Sequence, residues 1–111
     1  MANSNSVGDY KEYVTVDTAP GADGFWTNPI GLRDRHISYM FFSIRGTGVV
    51  TVTLQFKCEG DADWTDFYNG GNAFNKGERN IIEGNAGNVL WRAGVKQGGL
   101  TSGSVIFGFD W

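Results

Sequence analysis

The sequence contains one cysteine, one histidine and two prolines in 111 residues. With Cys58 alone, no disulfide can close within the chain, which points to folding in a reducing cytoplasm. With His36 alone, a nucleophile–His–acid arrangement or a zinc site has one imidazole to draw on, and no local ligand spacing supports either. Charge is also sparse: charged residues are 19% of the chain, and nine Lys and Arg stand against twelve Asp and Glu, for a formal net charge of −3. Cations scattered along an acidic chain leave no electrostatic footprint for nucleic acid or anionic lipid. No apolar run approaches the ~18 residues a membrane-spanning helix requires. The start, Met1 to Ser6, has neither the basic nor the apolar region of a signal peptide. An apolar i, i+3, i+4, i+7 pattern behind a capping residue is missing throughout, so no helix is expected.

What the chain has in quantity is glycine, at 17 positions, and aromatics, at 14%. Many glycines beside few prolines suit tight turns between short strands. The clearest signal runs from Val50 to Cys58, where Val50, Val52, Leu54, Phe56 and Cys58 alternate with Thr51, Thr53, Gln55 and Lys57. Period two over that length is a strand with one buried and one wet face. His36–Arg45 is almost wholly apolar and aromatic, as in a central strand covered on both sides. Further strands are expected over Glu12–Asp17, Trp64–Tyr68, Glu78–Glu83, Val89–Lys96 and Ser104–Trp111, with a short one near Phe25–Thr27. Long loops fall at Ala19–Arg35, which holds Pro20 and Pro29, and at Asn69–Gly77. The resulting fold class is all-β: a single antiparallel β-sandwich, jelly-roll-like (an immunoglobulin-like order also fits), of seven or eight strands. It occupies residues 10–111, and residues 1–9 read as a flexible polar arm.

Candidate chemistry is thin. His36 opens an apolar strand, where a hydrogen-bonded or exposed ring is the ordinary outcome. Cys58 falls on the inward register of its strand, where a thiol packs as a small hydrophobe. Glu59, Asp61, Asp63 and Asp66 cluster around the turn before Trp64, and three readings stay open. They are a structural Asp-capped turn with the tryptophan plugging the core beneath, a calcium loop, or a carbohydrate contact. Most aromatics have apolar period-two neighbours, so Phe41, Phe56, Trp91, Phe107 and Phe109 are expected in the core. Phe25 and Trp26 in one loop and Phe74 in the other are the exceptions, and are the candidate partner-binding residues. Catalytic residues, cofactor and metal are all expected to be absent, so the chain reads as a non-enzyme.

The last third carries a recognisable pattern: Ile81-Ile82-Glu83-Gly84-Asn85-Ala86-Gly87, then Trp91-Arg92-Ala93-Gly94-Val95-Lys96, then Thr101-Ser102-Gly103-Ser104-Val105, closing on Phe107-Gly108-Phe109-Asp110-Trp111. Together with Trp64-Thr65-Asp66, it resembles the small capsid staple, or decoration, minor capsid proteins of short-tailed double-stranded DNA bacteriophages. The resemblance covers residues 64–111. It implies a virion structural protein on the outer capsid surface, assembled in the host cytoplasm. Such a protein works as a homodimer that bridges neighbouring major capsid protein subunits and stabilises the head. The alternatives are a phage tail or fibre structural protein, and a carbohydrate-binding module.

Overall fold

The computed structural model describes residues 3–8, 11–31, 39–70, 79–83 and 89–111. Its strands are β1 (Ser4–Gly8), β2 (Lys11–Val16), β3 (Phe25–Trp26), β4 (Ile30–Gly31), β5 (Tyr39–Gly46), β6 (Val49–Val50), β7 (Val52–Cys58), β8 (Thr65–Gly70), β9 (Arg79–Glu83), β10 (Val89–Val95), β11 (Leu100–Ser102) and β12 (Val105–Asp110). Every pairing is antiparallel. A first sheet has the order β1-β2-β12-β5-β9 and a second the order β3-β10-β7-β8, with β4 also on β10 and a separate β6–β11 ribbon. Counted in chain order, the eight strands β2, β3, β5, β7, β8, β9, β10 and β12 run 1-8-3-6 in the first sheet and 2-7-4-5 in the second. That interleaving of two Greek keys is a jelly roll, so the chain forms the all-β antiparallel sandwich its composition and strand pattern predict.

Alternation decides what lies between the sheets. The first sheet contributes Val14 and Val16 from β2, Met40, Phe42 and Ile44 from β5, and Val105, Phe107 and Phe109 from β12. The second contributes Val52 and Leu54 from β7, Ala93 and Val95 from β10, and Ile30 from β4. Phe42 and Phe109 meet with ring centroids 5.5 Å apart, a tilted pair at the centre of the core.

Several expectations need correction. The polar arm is a strand over Ser4–Gly8, paired residue by residue with β2. Its polarity is no obstacle, because edge pairing uses backbone groups, and the Asn3 side chain clamps the hairpin by accepting from Asp17 N (2.9 Å) and Thr18 N (3.0 Å). The run from Val50 to Cys58 is two strands. Thr51 N turns aside to Gly99 O at 2.8 Å, so Val50 joins the β6–β11 ribbon and β7 starts at Val52. Cys58 is exposed, since β7 loses cover towards that end and Phe56 is already half-exposed. Nor is the other face of β7 wet, because Thr53 and Gln55 are both buried under polar neighbours. In the loop 19–35, β3 and β4 form one broken strand along β10, interrupted at Thr27–Pro29. Asn69 and Gly70 belong to β8, while His36 and Phe74 lie outside the described residues.

The outer face of the first sheet buries the Tyr13 phenol. Tyr13 OH donates to the Asp110 carboxylate and lies 3.4 Å from Ser43 Oγ, with the Arg45 guanidinium 5.5 Å from the ring centroid. Burial first, then the bond to Asp110, hold this phenol protonated above its ordinary value of 10.0. The folded state therefore keeps a proton that the unfolded chain loses. The stabilising contribution is intact below pH 10 and declines as pH climbs from 10 through the folded value. Absorbance titration is expected to show a late tyrosine ionisation that disappears in Tyr13→Phe. If no tyrosine ionisation is delayed, or the delay survives in Tyr13→Phe, the phenol is not shielded as described.

Candidate functional site

Two surface features gather on the second sheet, and both use aromatic side chains. The first is on its outer face. Upstream of β3, Gly24 adopts φ 73°, its N–H bonds Gly21 O at 3.0 Å, and the Trp26 indole N–H returns to Asp23 O at 2.8 Å. That turn fixes the indole over β10, where Trp26 stands opposite Gly94. A Cβ at position 94 would collide with the Trp26 ring and lie 2.7 Å from Phe25 O, so only glycine lets the ring lie against the strand. Two residues earlier on the same face of β10, the Arg92 guanidinium lies 4.1 Å from the Trp26 centroid and 4.4 Å from the Trp64 centroid. Lys57 Nζ lies 5.9 Å from the Trp64 ring on the same face. Both distances to Arg92 are well within cation–π range.

Polar side chains lock this arrangement in place. Arg92 Nε donates to Gln55 Oε1 at 2.8 Å, and Gln55 Nε2 donates to Asp66 Oδ1 at 2.8 Å. Lys96 Nζ closes the line on Asp66 Oδ2 at 2.6 Å. The Lys96 bond, then the Gln55 bond, hold the Asp66 carboxyl below its ordinary value of 3.8, so it is ionised at neutral pH. Partial burial lowers the Arg92 guanidinium from its ordinary value, which still leaves it a cation. Beside this line, Thr53 Oγ1 donates to Asn69 Oδ1 at 2.7 Å.

The second feature lies on the inward side of the same sheet, towards the exposed end of β7. Phe56 and Trp91 are opposite one another, with centroids 5.8 Å apart. Phe67, on the neighbouring strand β8, stands edge-on to both, 6.1 Å from Phe56 and 5.2 Å from Trp91. Phe67 is 61% exposed and the adjacent Tyr68 is 43% exposed, whereas Phe107 and Phe109 at the sandwich centre are fully buried. A register shift between Leu54 and Gln55 of β7 places the extra residue of β8 here. Such a bulge re-aims side chains.

The candidate partner-binding residues separate accordingly. Phe25 is half-buried, turns inward and packs against the core. Trp26 is half-buried on the outer face. In the turn before Trp64, Asp61 N bonds Cys58 O at 3.0 Å and Cys58 N bonds Asp61 Oδ2 at 2.9 Å. Gly60 supplies the positive φ of 89° that this turn requires. Trp64 does not plug the core beneath the turn but lies outward near Arg92 and Lys57. Among the described residues, no group of three or more His, Cys, Asp or Glu side chains is placed to hold a metal ion. Phe41 and Phe56, expected in the core, are half-buried, and Trp91 is half-buried but packs against the core.

Sequence reasoning misses Phe67 and Arg92. Phe67 falls in the run Thr65-Asp66-Phe67-Tyr68-Asn69, where adjacent aromatics hide which one a bulge turns outward. Arg92 is legible only as a cation inside an otherwise apolar strand. Compared with protein-family models, curated proteins and solved structures, the chain matches none.

Proposed function

We propose that this chain is a virion structural protein of the capsid decoration, or staple, type. It attaches to the outer capsid surface and bridges neighbouring major capsid protein subunits, as a homodimer. The observation that supports this reading is Phe67, an aromatic 61% exposed yet held edge-on by Phe56 and Trp91. Most exposed side chains are free to rearrange, but this one is braced by two rings and needs little ordering to bind. Rigid aromatics standing proud of a sheet are the usual anchors of protein–protein contacts. The resemblance over residues 64–111 supplies the identity of the partner, and Phe67 and Trp91 both fall within that stretch. A jelly roll tied by antiparallel pairing from both ends of the chain also suits a clamp that must resist tension.

The test uses capsids lacking this protein. Added whole chain is expected to bind at many sites per shell and to raise the temperature at which heads rupture. Phe67→Ala is expected to weaken attachment by about 2 kcal/mol, roughly 30-fold. Because Phe67 is mostly solvated, the same change should shift the stability of the free protein by less than about 1 kcal/mol. Failure of wild-type protein to bind such capsids, or rupture at an unchanged temperature, sinks the proposal.

A further inference from the structure

We infer that the outer face of the second sheet, built on Trp26, Trp64, Arg92, Gln55 and Asp66, is a binding platform for an oligosaccharide of pyranose rings. This site lies on the opposite face of the sheet from Phe67 and does not depend on the capsid reading.

Its case starts from the side-chain chemistry. A pyranose offers two kinds of surface: patches of C–H that stack on aromatic faces, and pairs of neighbouring hydroxyls that want planar donor–acceptor groups. The platform carries both. Trp26 and Trp64 are half-buried, so each keeps part of its indole in solvent. The half-buried Arg92 guanidinium and the exposed Asp66 carboxylate are planar groups that engage two hydroxyls at once, and the buried Gln55 carboxamide links the two. These groups already bond one another, Arg92 to Gln55 and Gln55 to Asp66, each at 2.8 Å. Such a lattice is preorganised, so little side-chain entropy remains to be lost when a ligand settles.

A second, independent observation is Gly94. A glycine inside a strand weakens it, and its presence commonly marks a close approach by another group. Here the missing Cβ makes room for the Trp26 ring, and any larger residue would strike that indole. The Gly21–Gly24 turn and the Trp26 bond to Asp23 O orient the same ring from the other side. The chain thus forgoes strand propensity and commits a positive-φ glycine to set one partly solvated tryptophan flat on a sheet. A ring needed only for packing would be served as well by the core, where Phe25, its neighbour in sequence, already points.

A purely structural ladder, bracing the sheet by cation–π contacts, is the alternative that the experiment must separate. The whole chain is applied to an array of neutral and uronic-acid oligosaccharides, and calorimetry follows with cellohexaose, laminarihexaose, mannohexaose, xylohexaose and every sugar that scores. Binding to at least one of them is expected, weakened tenfold or more by Trp64→Ala and by Arg92→Gln. Phe67→Ala should leave that binding within twofold of wild type, while Trp64→Ala should leave capsid attachment unchanged. Thermal unfolding of each variant accompanies the titrations. Trp64→Ala carries the test should Arg92→Gln fail to fold, because Trp64 sits at the edge of the lattice and outside the core. A flat array with flat calorimetry overturns the inference. So does sugar binding that survives Trp64→Ala at wild-type strength.

Discussion

Gly108→Ala is expected to cost about 3 kcal/mol or more, the upper end of what forced overpacking does. Gly108 lies in β12, between β2 and β5 at the middle of the first sheet, opposite Tyr13 on one side and Ser43 on the other. An added Cβ would collide with the Glu12 carbonyl oxygen and stand 2.6 Å from Tyr13 Cδ1 and 2.7 Å from Tyr13 Cα. Two of those three obstacles are main-chain atoms, which no rotamer change can move. Relief requires β2 and β12 to part, and that strains a ladder running from Val105–Val16 to Asp110–Lys11. At roughly 5 °C per kcal/mol for a domain of this size, the melting temperature should fall by about 15 °C. Gly98→Ala is the control. Gly98 also has positive φ, 82°, but nothing stands within 4 Å of its added Cβ, so only backbone strain applies, about 1–2 kcal/mol. Should Gly108→Ala prove no worse than Gly98→Ala, the β2–β12 pairing is looser than these contacts require.

Gly108 also shows where sequence reading stops. Val105, Phe107 and Phe109 announce the inward face of β12 by their period, and the core follows from it. The glycine between them reads only as a gap on the outer face, because its reason is a main-chain neighbour from β2, some 96 positions earlier in the chain. The same division recurs elsewhere. Strands of six to eight residues such as β5, β7, β10 and β12 carry enough alternation to be legible. β4 has two residues and β11 three, too few to express any period, and β1 can be polar because an edge strand pairs through its backbone. The candidate site divides likewise. Trp26 stands out as a large aromatic in a Gly- and Pro-containing loop, but its companions Arg92, Gln55 and Trp64 come from three other places in the chain. Only the register Gly94–Trp26 and Arg92–Gln55 brings them onto one face.

Glu12→Ala is expected to destabilise the fold by about 2–3 kcal/mol, and to do so locally before it does so globally. Glu12 sits on the inward register of β2 with Val14 and Val16, and its side chain is fully buried. A carboxylate there must be satisfied by donors, and three are present: Asn28 N at 3.1 Å, Asn28 Nδ2 at 3.3 Å and Asn5 Nδ2 at 3.3 Å. Hydrogen bonds to a charged acceptor contribute about 1.5–3 kcal/mol each, but Asn5 and Asn28 are exposed residues that water can re-solvate. Re-solvation brings the expected cost down to a fraction of the sum. What is lost specifically is the tie between the two sheets, since Asn28 lies in the break between β3 and β4 of the second. That break is otherwise held by Thr27 N on Ala93 O at 2.8 Å and Ala93 N on Thr27 Oγ1 at 3.1 Å, next to the ring of Trp26. Without Glu12, amide hydrogen exchange at Thr27 and Asn28 should accelerate by tenfold or more, while exchange at Phe107 follows only the global stability. A double-mutant cycle with Asn28→Ala should return a coupling of about 1 kcal/mol, because the side-chain bond is shared but the backbone donor remains. Equal acceleration at Thr27 and Phe107, or additive effects in the cycle, would show that the carboxylate fills space without tying the sheets together.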